Sequence, residues 1–338
     1  MRSTCRLIPN FLTINFFMDT LLFSFAPTMM WAQVTLLVLG IVIVLKSADW
    51  LTNGAVGLAT KLGISQIVIG LTIVAIGTSM PEFFVSIVSA IKGTPDLAVG
   101  NIVGSNIFNV LLIVGVAALV TPITIQRTTV RRDIPIAIIA SVMLTVMMLD
   151  DNISRLDALV LFIAFVAFIW ITLHDSKNAS NEICSSQETI ATHKSVFLIL
   201  FGLFGLVLGS NIFVDNASSL AHAWGISDAV IGLTIVAGGT SLPELATSAV
   251  AAKKGDSGIA IGNVLGSNVF NILMILGLTG LISPMHIQNI TYVDMAVMVV
   301  SMALFWLFSF TKLRIDRWEG GVLIACFLGY ITWLVSNA

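Results

Sequence analysis

Two glutamates, Glu82 and Glu244, stand in nearly the same surroundings 162 residues apart: GLTIVAIGTSMPE ends at the first and GLTIVAGGTSLPE at the second. Each lies in an apolar stretch, where a carboxylate costs at least about 2.5 kcal/mol to bury in lipid and is by default functional. A protonated glutamate bonded to a neighbouring helix is the other use, and it would have to occur twice. Pro81 and Pro243 lack the amide that would bond the carbonyls of Gly77 and Gly239, and their rings push that turn open. Thr78, Ser79, Thr240 and Ser241 add hydroxyls beside the same break. Carboxylate, carbonyl and hydroxyl oxygens together suit hard cations such as calcium and sodium.

A second pair of segments, GNIVGSNIFN (100–109) and GNVLGSNVFN (262–271), supplies the rest. Ser105 with Asn109, and Ser267 with Asn271, are spaced i, i+4, so each pair shares one helix face. Gly100, Gly104, Gly262 and Gly266 allow close helix approach. Asn101, Asn106, Asn263 and Asn268 stay open between a site role and a cap, since an asparagine at a glycine-rich break often caps a half-helix. Two ionised glutamates are neutralised by one calcium, two sodium ions or two protons, whereas an empty site leaves bare charge in a low-dielectric interior. A carrier of that kind switches readily only when loaded, which is antiport rather than uniport.

The elements that must position these groups are membrane helices. The chain is 57% hydrophobic and 10% charged, with a mean hydropathy of +1.02, and apolar stretches of bilayer length recur with short polar breaks. Hydropathy predicts ten spans, roughly 31–52, 64–91, 97–120, 132–149, 156–173, 195–215, 226–252, 258–282, 292–311 and 318–336. Residues 64–122 and 226–284 are one text written twice. Five spans per copy make the second copy enter from the opposite side, so the expected fold is all-α: ten transmembrane helices as two inverted five-helix repeats. The predicted division is an N-terminal extension (1–30), a first repeat (31–174), a cytoplasmic linker (175–194) and a second repeat (195–338).

Lys61, Arg127, Arg131, Arg132, Lys177, Lys194, Lys253, Lys254, Lys312, Arg314 and Arg317 fall on one side of this topology. Lys92, Arg155, Arg2 and Arg6 fall on the other, which places both termini away from the cytoplasm. A net charge of −2 without a basic cluster gives no sign of nucleic acid. The three cysteines and four histidines form neither a disulfide framework nor a zinc motif, and no cofactor or protein partner is evident. A membrane-embedded enzyme lacks its parts here, with no GxSxG elbow, no paired GxGD aspartates and no aspartate-rich diphosphate motif. A passive channel is disfavoured because its repeats would surround an axis normal to the membrane.

At GTSMPE, GTSLPE, GSNIFN and GSNVFN the chain closely resembles the calcium/cation antiporter superfamily, in particular its compact bacterial inner-membrane sodium/calcium exchanger-like branch. The resemblance spans about 31–336 and implies calcium exchange against sodium across a bacterial inner membrane, with the bilayer and the ions as the only partners. It implies calcium at Glu82, Glu244 and the carbonyls of Thr78 and Thr240. It implies sodium around Ala75, Ser79, Ser105, Asn109 and Glu82, and around Ala237, Ser241, Ser267, Asn271 and Glu244. The chain departs from that pattern at Asn271, where exchangers commonly carry an acid; one titratable group fewer makes calcium/proton antiport the alternative.

Overall fold

The computed structural model describes residues 29–178, 191–224, 237–288 and 290–337. Within them the chain is almost wholly helical. In order come α1 (Met30–Leu62), α2 (Gln66–Thr78), α3 (Met80–Ile91), α4 (Pro95–Val120), α5 (Thr129–Asp150) and α6 (Arg155–Asn178). Then follow α7 (Thr192–Ala223), α8 (Ala237–Thr240), α9 (Leu242–Lys254), α10 (Ser257–Ile282), α11 (Tyr292–Lys312) and α12 (Arg317–Asn337). Eight of the helices are long and apolar enough to cross a membrane, and nine spans result if the bent pair α2–α3 counts as one. The expected span at 226–252 lies partly outside the described residues, as do nearly all of the N-terminal extension and most of the linker.

Hydropathy placed the first and sixth spans at 31–52 and 195–215, but α1 runs 33 residues and α7 runs 32. The polar residues that cut the hydropathy windows short sit inside helix. Asn53 and Asn216, just past the ends of the two expected spans, lie within α1 and α7, and Asn216 is buried, as are Ser47, Thr52 and Ser195, because α1 and α7 pack antiparallel along their length. Gln33 Nε2 donates to Ser219 Oγ at 2.7 Å near one end of the pair. Near the other, a Cβ on Gly54 would lie 2.7 Å from the carbonyl oxygen of Ser195, so only glycine fits. A second seam joins α2 to α10, where a Cβ on Gly262 would meet the Ile67 carbonyl at 2.6 Å and the Gly70 Cα at 2.9 Å.

Two short antiparallel strand pairs tie the loops together at the two ends. Strand β1 (Ile123–Thr124) pairs with β4 (Arg314–Ile315), and β2 (Asn152–Ile153) with β3 (Met285–His286). At the β1–β4 end, Thr124 N donates to Ser257 Oγ at 3.3 Å and Gln66 Nε2 to Asp256 Oδ1 at 3.0 Å. Asp256 has its pKa raised by burial, against the opposing pull of Gln66 and Lys254. The loops gathered there carry or adjoin Arg127, Lys253, Lys254, Lys312, Arg314 and Arg317. The β2–β3 end adjoins Lys92 and Arg155, and there Gln288 N donates to Asp96 Oδ1 at 2.7 Å. Six of the eleven basic residues grouped by sequence thus lie on or beside the loops of one end.

Candidate functional site

Helix α2 stops at Thr78 and α3 starts at Met80, with the axis turning 48° at Ser79. Pro81 lies in the first turn of α3, where its missing amide is harmless because first-turn amides have no intrahelical partner. The same punctuation recurs at Ser241, between α8 and α9, with Pro243 in the first turn of α9. Glu82 and Glu244 therefore both occupy first helical turns, the end whose free amides and dipole favour negative charge. Both are fully buried, at 0% exposure.

The two breaks exchange hydrogen bonds. Ser79 Oγ, from the break that presents Glu82, donates to Glu244 Oε1 at 2.9 Å, and Ser241 Oγ donates to Glu82 Oε1 at 2.9 Å. Ser105 Oγ, from α4, donates to Glu82 Oε1 at 3.4 Å, and Ser267 Oγ, from α10, to Glu244 Oε1 at 3.4 Å. The Ser105 and Ser241 hydroxyls are themselves 3.0 Å apart. Sequence positions from both copies thus converge on one buried polar cluster.

What this cluster leaves over is chemically specific. Glu82 Oε2, Glu244 Oε2, Asn109 Oδ1 and Asn271 Oδ1 are buried and accept no hydrogen bond among the described residues. Buried acceptors nearly always have a partner, so two carboxylate and two amide oxygens without donors ask for a cation. Serine hydroxyls fill out an all-oxygen set of the kind hard cations take. Among the described residues no group of three or more His, Cys, Asp or Glu could hold a metal ion, so the fixed charge here is that of the two glutamates.

The remaining predicted positions are placed as follows. Ala75 is fully buried in the last turn of α2. The Thr78 hydroxyl donates to Asn263 Oδ1 at 3.0 Å and lies 3.4 Å from the Ala75 carbonyl. Thr240 ends α8, half-buried, and Ala237 begins it, with its side chain outside the described residues. Asn109 and Asn271 both lie in wide π-type turns, within α4 and α10 respectively, a helix distortion frequent at functional sites.

Of the two uses open to Asn101, Asn106, Asn263 and Asn268, capping a half-helix is not the one observed, for all four lie in the interiors of α4 and α10. Asn101 Nδ2 bridges the Glu82 carbonyl (3.2 Å) and Ser86 Oγ (3.1 Å). Asn263 Nδ2 bridges the Glu244 carbonyl (3.3 Å) and Ser248 Oγ (3.0 Å). These asparagines hold the two glutamate-bearing helices against α4 and α10. The available signal was their position one turn before Ser105 and Ser267, on the same helix face. Asn263→Ala removes its hydrogen bonds with the Glu244 carbonyl, Ser248 and Thr78 at once, and is expected to lower stability by about 1–3 kcal/mol. A melting temperature in detergent equal to that of the parent would contradict the bridge.

Comparison with known proteins gives concordant results. The family model described as sodium/calcium exchanger protein matches residues 32–174 and again 194–336. The inner membrane protein YrbG of Escherichia coli is 36% identical over 311 residues, covering 88% of this chain and 94% of that protein. The sodium/calcium exchanger MaX1 of Methanosarcina acetivorans is 34% identical over 340 residues, covering 88% and 97%. A solved structure of the sodium-calcium exchanger NCX_Mj soaked with sodium and calcium superposes with a TM-score of 0.78 at 33% identity, over 89% of this chain and 97% of that one.

Proposed function

The chain belongs to the sodium/calcium exchanger protein family, and on that premise we propose that it exchanges calcium for sodium across a bacterial inner membrane by alternating access. The observation that carries the proposal is the buried set of four donorless oxygens, Glu82 Oε2, Glu244 Oε2, Asn109 Oδ1 and Asn271 Oδ1. Calcium takes the two glutamates with the carbonyls of Thr78 and Thr240. Sodium takes Ala75, Ser79, Ser105, Asn109, Ala237, Ser241, Ser267 and Asn271 together with the two glutamates, the hydroxyls crossing between the copies so that Ser241 faces Glu82 and Ser79 faces Glu244.

The reading includes ten membrane helices in two inverted repeats, a relation supported by the antiparallel packing of α1 against α7. It also puts the basic β1–β4 end in the cytoplasm and both termini on the opposite face. Loading neutralises the glutamates and lets the helices repack around them; the bare pair holds the carrier in place. A second reading, calcium/proton antiport, rests on Asn271, which leaves two acids where a third carboxylate would strengthen sodium binding.

Proteoliposomes loaded with calcium, with a sodium gradient and a pH gradient imposed separately, decide between them. Inward sodium is expected to drive calcium out. Calcium release driven by the pH gradient alone would select the proton reading, and rapid calcium flux with no counter-cation would overturn antiport.

A further inference from the structure

An asparagine offers an amide NH2 on one side and a carbonyl oxygen on the other, and a cation site accepts only the oxygen. The crossing of α4 and α10 contains a device that settles this choice. Asn106 Nδ2 donates to the backbone carbonyl of Asn268 at 3.5 Å, and Asn268 Nδ2 donates to the backbone carbonyl of Asn106 at 3.4 Å. A backbone carbonyl is an acceptor and nothing else, so these contacts fix which end of each amide is which. The oxygens of the same two side chains then receive the next pair of amides. Asn271 Nδ2 donates to Asn106 Oδ1 at 3.2 Å, and Asn109 Nδ2 donates to Asn268 Oδ1 at 2.9 Å. Asn271 Nδ2 also reaches Ser105 Oγ at 3.2 Å. With both NH2 groups consumed, the oxygens left over are Asn109 Oδ1 and Asn271 Oδ1, fully buried and without a donor among the described residues.

We propose that Asn106 and Asn268 are positioning residues that set the cation selectivity of the site: they hold Asn109 and Asn271 with oxygen, rather than NH2, toward the transported ion. This rests on the exchange reading above and extends it to two residues outside the ligand set assigned there. The polarity passes from an invariant backbone group to the ligand in two hydrogen bonds, and it does so reciprocally across the two copies. Without Asn106, the Asn271 amide loses one of its two acceptors and can rotate, turning a positive NH2 edge toward the cation about as easily as an oxygen.

The test uses purified full-length protein in proteoliposomes, reading the half-saturating sodium concentration for calcium release. Asn106→Ala is expected to raise it about tenfold, equivalent to about 1.4 kcal/mol, with the maximal rate little changed. In the Asn271→Asp background, adding Asn106→Ala is expected to leave the half-saturating sodium concentration of Asn271→Asp within about twofold, because a carboxylate presents oxygen whichever way it turns and no longer needs Asn106 to orient it. Asn268→Ala, alone and with Asn109→Asp, gives the mirror measurement and replaces the first set if Asn106→Ala does not fold. Unchanged sodium dependence in the single variant overturns the proposal. So does an equal tenfold loss when Asn106 is removed from the Asn271→Asp background, since that marks a purely structural crossing. If the parent protein itself shows no sodium-driven release, it is the exchange reading that fails, a result distinct from either.

Discussion

Glu82→Gln and Glu244→Gln are each expected to weaken calcium binding by more than about 100-fold and to abolish sodium-driven calcium exchange, while the protein still folds. Glutamine keeps the shape of glutamate and an oxygen that can accept from Ser241 or Ser79, which now hold Glu82 and Glu244 at 2.9 Å. What it removes is half of the fixed negative charge in a cluster with 0% exposure at both carboxylates. Taking one partner from a buried ion pair costs about 3 kcal/mol or more, because the surviving charge has no water to fall back on. The ion bears that cost here, and the fold does not: each variant is expected to melt at or above the parent temperature in calcium-free buffer, where bare carboxylates repel. The measurement is calcium flux in proteoliposomes paired with thermal unfolding in detergent. Exchange at the parental rate in both variants would mean that calcium binds elsewhere, and a collapsed melting temperature would make the glutamates structural.

The part of this site that was legible in the sequence is the part encoded in residue type. A glutamate after Pro81 or Pro243, hydroxyls beside it, and Ser105 and Ser267 one turn before Asn109 and Asn271 state their chemistry without a partner in view. The duplication then brings the two halves into one argument. What could not be read is whatever depends on which helix faces which. The bonds from Ser79 to Glu244 and from Ser241 to Glu82 cross between the copies, and no spacing within either copy implies a crossed pattern. The same holds for Asn106 and Asn268, which look like helix punctuation until their amides are seen to meet. The lengths of α1 and α7 were hidden for a related reason. Hydropathy counts Thr52 and Asn216, at the ends of the two expected spans, as polar, whereas antiparallel packing buries them, and each bonds a carbonyl one turn back in its own helix.

Asn271→Asp is expected to make exchange strongly pH-dependent relative to the parent, and the direction follows from what the position requires. Asn271 Nδ2 donates to Ser105 Oγ and Asn106 Oδ1, both at 3.2 Å, so a side chain here must supply a hydrogen. An aspartic acid does so only while protonated, and in that form it has the same charge as asparagine and nearly the same shape. At low pH the variant therefore behaves like the parent. As the pH rises and the introduced carboxyl ionises, Asn106 Oδ1 loses its donor and three carboxylates confront one divalent ion. Calcium is then held more tightly and leaves more slowly, so turnover drops. The ratio of variant to parent exchange rate is expected to fall at least about fivefold between about pH 6 and about pH 9. An aspartate also restores oxygen on both faces of the side chain, so the ionised variant gains a ligand for an extra monovalent ion. The sodium dependence of calcium release is expected to steepen over the same pH range in which turnover falls. A flat ratio together with an unchanged sodium slope would place residue 271 outside the charge balance of the transported ions and leave the two glutamates as its whole basis.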